Sequence, residues 1–156
     1  MSEHGHTYDE GEVIEGLRTK GYRVTPQRLT VARVLLTSKG HISAEILYER
    51  VRQTTPTISL ATVYDSLEAL ENAGLVTSFL AEPGKKVYDS DTEPHVNLVC
   101  TVDGEVVDIP LGSAELGKIY EAAKSSGFSH VKISVTVHGI CPRHAETNSG
   151  NFKESH

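Results

Sequence analysis

The chain has 156 residues, enough to bury a real core as one compact domain or as two small ones that share stability with a partner. Its 15 Lys and Arg against 21 Asp and Glu give a formal net charge of -6, which argues against coating nucleic acid by bulk electrostatics and leaves room for a local basic face. Two cysteines are too few for a disulfide framework, no run approaches the roughly 18 consecutive apolar residues of a membrane span, and the start "MSEHGHTYDEGE" lacks the basic and apolar regions of a secretory leader, so the expectation is a cytoplasmic protein with no membrane association.

After the polar leader, "EVIEGLRTKG" places Val13, Ile14 and Leu17 on one helical face and stops at Gly21. In "TPQRLTVARVLLTSKG", Thr25 can cap, Pro26 takes the first helical position and Gly40 follows the end. "SAEILYERVRQ" starts from Ser43 as N-cap. Beyond a loop with Pro56, Ser59 caps a helix whose apolar stripe is Leu60, Val63, Leu67 and Leu70, ended by Gly74. That helix is expected to present Ala61, Asp65 and Ala69 outward, with Tyr64 at the edge of the stripe.

"LVTSFL" and "KKVYDS", joined by "AEPG", have the composition of a β-hairpin. Helices followed by a hairpin predict a winged helix-turn-helix, with 59–73 as recognition helix and 75–89 as wing; a helical bundle with an incidental hairpin is the alternative. From residue 95 the pattern becomes strand (95–101), strand (105–110), a helix from Ser113 to about 126, and the alternating run "HVKISVTVHG". The expected fold class is therefore α+β: a winged helix-turn-helix domain over 1–90, then a small α/β domain over 91–156. Few short strands leave an exposed sheet edge, which pairing with a second copy would cover.

The segment "HVNLVCTVDGEVVDI", residues 95–109, carries His95, Asn97, Cys100, Asp103 and Asp108 on a strand-turn-strand run. Together with "GYRVTPQR", "GHISAE", "SLATVYDSL" and "GLV" in this order and spacing, it resembles the ferric uptake regulator family from about residue 16 to 145, closest to its peroxide-responsive branch. The resemblance implies a homodimeric transcriptional repressor, not an enzyme, with a regulatory divalent metal, Fe²⁺ or Mn²⁺, that holds the dimer on a palindromic double-stranded operator. Its regulatory ligands fall on His41, Asp89, His95, Asn97 and Asp108. Asn97 departs from the family's usual His; a carbonyl oxygen is a harder and poorer donor than imidazole, so the site should tilt from zinc toward Fe²⁺ or Mn²⁺. Asp89 and Asp108 match the peroxide branch, in which bound Fe²⁺ reacts with peroxide and a ligand histidine, His41 or His95, is oxidised.

The family's structural Zn²⁺ usually sits in two C-x-x-C pairs, and the matching positions here are Cys100 with Asp103 and Cys141 with His144. Cys, His and carboxylate all ligate zinc, so a degenerate site can form; the alternative is that both cysteines are small buried hydrophobes. His138 and the leader pair His4 and His6 are further donors, of a kind that is usually solvated. The DNA-binding set is Arg18, Lys20, Arg23, Arg28, Thr62, Tyr64 and Lys85, with Arg33 and Lys86 nearby. Asp65 sits badly among them, since an acid repels phosphate, although it can accept a hydrogen bond from cytosine. Two other classes remain in view: a metal-uptake regulator that responds to occupancy alone, and a non-haem iron enzyme, because two histidines and a carboxylate with open positions suit oxygen chemistry.

Overall fold

The computed structural model describes residues 7–38 and 40–145; the leader histidines His4 and His6 lie outside them. The described chain divides into two compact units. The first runs to Leu80 and takes in Gly84–Thr92; the second comprises Ala81–Pro83 and the chain from Glu93 onward.

In the first unit four helices, α1 (Glu10–Thr19), α2 (Pro26–Thr37), α3 (Ala44–Val51) and α4 (Leu60–Asn72), each begin at a side-chain cap. The backbone N–H groups of Arg28, Ile46 and Thr62 donate to Thr25, Ser43 and Ser59, as the sequence predicts, and Asp9 takes two N–H groups at the start of α1. Their inner faces close a core that includes Leu17, Val31, Leu35, Leu47, Leu67 and Leu70.

The hairpin is β2 (Thr77–Glu82) and β3 (Lys85–Asp89), turned at Pro83 and Gly84 alone, where Gly84 takes φ +77°. Ala81 and Glu82, expected in the loop, belong to the strand. A two-residue strand, β1 (Ile42–Ser43), adds itself to β3 with Ile42 opposite Tyr88, giving the order β1-β3-β2. No periodicity announces a strand that short.

Two residues of α4 differ from expectation. Ala69 is fully buried and not outward, and Leu60 is 37% exposed although counted in the stripe. Leu60 opens the helix, before the turn that meets the core, whereas Ala69 and Ser66, both small, lie where α4 is covered by its neighbours.

The second unit is built on β4 (His95–Cys100), β5 (Val106–Pro110) and β6 (Val135–Gly139), in the order β5-β4-β6. β4 pairs antiparallel with β5, Asn97 opposite Asp108, and parallel with β6. The helix α5 (Ser113–Ser125) lies between β5 and β6 in the chain, and a short helix, α6 (Pro142–Ala145), follows. Only the second half of "HVKISVTVHG" is strand, and α6 was not foreseen. α5 buries no residue, and Val107, Ile109, Ile119, Tyr120, Phe128 and Val137 are exposed large hydrophobics of this unit. No helix among the described residues is long and apolar enough to cross a membrane.

Because α4 is closely covered at Ala69, Ala69→Leu is expected to destabilise the first unit by about 1–3 kcal/mol through overpacking, whereas Leu60→Ala should stay within about 0.5 kcal/mol. Urea unfolding midpoints of the two variants check the contrast.

Candidate metal centre and nucleic-acid interface

In the first unit the β1–β3 register sets Ile42 against Tyr88, so His41 and Asp89 form the next pair outward. His41 Nε2 lies 3.1 Å from Asp89 Oδ2, with only 11% and 6% of the two side chains exposed. Asp89 Oδ1 accepts from the Asp91 N–H at 2.9 Å, and the His41 ring stands edge-on to Phe79 with centroids 5.1 Å apart. A carboxylate oriented by a backbone donor beside a buried imidazole is a pair of ready metal donors.

In the second unit, the period of two puts His95 and Asn97 on one face of β4, and the ladder brings Asp108 across from Asn97. His95 Nδ1 is 2.7 Å from the Glu93 carbonyl oxygen. A carbonyl only accepts, so Nδ1 carries the proton, and in the neutral ring Nε2 presents its lone pair. Nε2 faces Asn97 Oδ1 at 3.1 Å and Asp108 Oδ1 at 3.8 Å. Imidazole nitrogen, amide oxygen and carboxylate oxygen thus face one another, a donor set that a cation fits. Asn97 is 4% exposed, so its amide is committed to this cluster and not to water.

The matched C-x-x-C positions also come together within the second unit. Cys100, Asp103, Cys141 and His144 each offer a donor atom, all within 4.8 Å of one another. His144 Nδ1 is 3.1 Å from Cys141 Sγ, 3.6 Å from Cys100 Sγ and 3.8 Å from Asp103 Oδ2. Zinc bonds of about 2.0–2.3 Å at tetrahedral angles separate donors by roughly 3.3–3.8 Å, so the spacing suits zinc with small adjustments. The Cys100 thiol is lowered to about 7 by backbone N–H groups, that of Cys141 foremost. Arg143 of α6 donates to Asp103 at 3.1 Å and to Glu105, a clamp on the β4–β5 turn that sequence reasoning missed. His138 instead donates to the Ala81 carbonyl at 3.1 Å.

On α4, Tyr64 and Asp65 are exposed neighbours. The Tyr64 hydroxyl donates to Glu45 of α3 at 2.7 Å, which raises the tyrosine's pKa and lowers the glutamate's. Arg28 donates to Asp65 at 2.9 Å and to the Arg23 carbonyl, lies over the Tyr22 ring, and is only 11% exposed. Thr62 is tied into the α4 cap through Ser59 at 2.8 Å. Arg33 pairs with Glu10 and Lys86 with Glu71, while Arg18, Lys20, Arg23 and Lys85 are exposed. None of the ties at Arg28, Tyr64 or Arg33 has a sequence signal, because each joins separate helices.

A winged-helix unit followed by an α/β unit with metal-donor clusters defines a metal-dependent DNA-binding regulator. The sequence matches the ferric uptake regulator family over residues 19–138, and the chain belongs to that family. Among characterised relatives, the peroxide-responsive repressor PerR of Staphylococcus aureus is 29% identical over 131 residues, covering 83% of this chain and 87% of that protein. The solved structure of the Vibrio cholerae ferric uptake regulator is 33% identical with a TM-score of 0.63, covering 83% of this chain and 99% of that one. A zinc uptake regulator solved in complex with zinc and DNA is 25% identical with a TM-score of 0.61, covering 90% and 95%.

Zinc titrated into metal-free protein against a chelator should bind at about one equivalent through the Cys100 cluster, and Cys141→Ser should weaken it at least roughly tenfold. Unchanged zinc uptake in that variant would leave the cysteines as packing residues.

Proposed function

We propose that the chain is a homodimeric, metal-dependent repressor that binds a palindromic double-stranded DNA site and releases it when peroxide oxidises a ligand histidine. On the family's pattern, His41, Asp89, His95, Asn97 and Asp108 are proposed as the ligands of the regulatory Fe²⁺ or Mn²⁺ ion. The observation that carries this is the convergence of three acceptors at His95, with Nδ1 held by the Glu93 carbonyl. The donor set of imidazole, amide and carboxylate oxygen suits Fe²⁺ or Mn²⁺ more than zinc, whereas the thiolates of the Cys100 cluster suit zinc. The two clusters thus divide the metals by chemistry.

The peroxide reading is supported by likeness to PerR over most of both chains. Ferrous iron, when bound, supplies the reducing power that peroxide takes up. His41 and His95 then stand where the oxidation would fall, and either ring, once oxidised, is a poorer donor. A second reading, a metal-uptake regulator that answers to occupancy alone, is favoured by the 33% identity with the Vibrio cholerae regulator. A non-haem iron enzyme is the less economical reading, since a recognition helix with Tyr64 presented outward adds nothing to oxygen chemistry. A DNA ligand implies work in the cytoplasm.

Dimerisation is supported by the apolar side chains that the second unit leaves in solvent, including Ile109, Phe128 and Val137. Sedimentation should therefore show a dimer, and Ile109→Asp combined with Phe128→Asp should shift it to monomer while the first unit keeps its helical content. Exposure of the Fe²⁺ form to peroxide should add an oxygen atom to a peptide containing His41 or His95 and abolish DNA binding, while the Mn²⁺ form resists both. Equal loss of binding by the two metal forms would favour the occupancy reading, as would oxidation confined to Cys100 or Cys141.

A further inference from the structure

We propose that Asp65 is a base-reading residue selective for cytosine, and that Arg28 is the positioning residue that allows an acid to occupy that place; this rests on the reading of the chain as a DNA-binding repressor. A carboxylate on the outward face of a recognition helix meets the phosphate field of DNA, and left uncompensated it weakens binding to every sequence. Here it is compensated from beneath. Arg28 comes from the first turn of α2 with 11% of its side chain exposed, while the Asp65 side chain is 70% exposed, so the cation lies under the acid. Arg28 is itself held by the Arg23 carbonyl and the Tyr22 ring, 5.7 Å from its guanidinium carbon.

The contact uses one carboxylate oxygen: Oδ2 takes Arg28 at 2.9 Å, and no hydrogen bond among the described residues engages Oδ1. A carboxylate can only accept. In the major groove, cytosine offers the N4 amino donor, whereas guanine presents two acceptors, thymine an acceptor and a methyl group, and adenine places its N7 acceptor beside its donor. Cytosine is therefore the base a carboxylate selects. The adjoining residue is held in the same manner, since the Tyr64 hydroxyl donates to Glu45 at 2.7 Å. Two consecutive positions of the α4 edge are thus each fixed from another helix, Tyr64 from α3 and Asp65 from α2.

The test is selection from a library of palindromic duplexes with randomised half-sites by the Mn²⁺-loaded full-length chain, followed by affinities for the selected site and its single-base variants. One position per half-site is expected to require cytosine, and replacing it should cost on the order of tenfold, as loss of one base contact does. Asp65→Asn, nearly isosteric, should move the preference at that position to adenine, which an amide reads through N6 and N7. Arg28→Met should lower the cytosine preference along with overall affinity, and Arg28→Lys should restore part of both. If Asp65→Asn weakens all sequences alike without moving any preference, Asp65 is only a helix tie and the proposal is overturned. If Arg28→Met leaves the cytosine preference intact, the role given to Arg28 is overturned. A wild-type chain that selects a site with no cytosine requirement sinks this proposal alone; one that selects no sequence with metal bound sinks the repressor reading with it. Melting temperatures of each variant separate these outcomes from unfolding.

Discussion

The second unit depends on the placement of one strand. β4 is hydrogen-bonded on both edges, antiparallel to β5 and parallel to β6, so its register cannot slip by a residue without turning every side chain to the other face. That constraint sends His95 and Asn97 to one face and Cys100 to the other, at opposite ends of six residues. One donor cluster therefore grows from the start of β4 with Asp108, and another from its end with Asp103, Cys141 and His144. Separation by face and by length along the strand keeps the thiols of Cys100 and Cys141 away from the His95, Asn97 and Asp108 donors, so one small sheet presents two chemically different donor sets.

The first unit shows the same economy at β1. Two residues of strand suffice to fix His41 beside Asp89, because the register with β3 is already set by the hairpin. The residue that ends β1, Ser43, caps α3, and Glu45 in the first turn of that helix receives the Tyr64 hydroxyl. A continuous run of five residues thus links a metal-donor pair to the side chain presented by the recognition helix.

Electrostatics at the helical surface follow from burial more than from count. The chain is acidic overall, and several of its arginines are spent on internal ties: Arg28 to Asp65 and Arg33 to Glu10. Exposed pairs of this kind add little stability. Arg28 differs because its guanidinium is largely out of water, packed over Tyr22 and hydrogen-bonded to a carbonyl, so removing its partner would leave a desolvated charge.

Helix existence and helix starts were legible in the sequence because caps act over three residues: Thr25, Ser43 and Ser59 each announce a helix that the structure contains. The winged-helix order and the strand-turn-strand ladder were legible for the same local reason, as were the residue types able to hold a metal. What the chain's order did not reveal depends on neighbours distant in sequence. Ala69 reads as outward from the stripe of α4, yet packing against other helices buries it. The strand β1 exists only because β3 is there to pair with it, and the puzzle of Asp65 dissolves only when Arg28, 37 residues earlier, lies beneath it. The imidazole proton of His95 is placed by a carbonyl two residues away, a matter of backbone path that residue identities do not encode. Sequence determined the capped helices, most of the strands and the chemistry they could carry, since those follow from short-range caps and periodicity; tertiary structure alone decided the strand β1, which donors meet and which charges are neutralised, since contact requires the chain to return on itself.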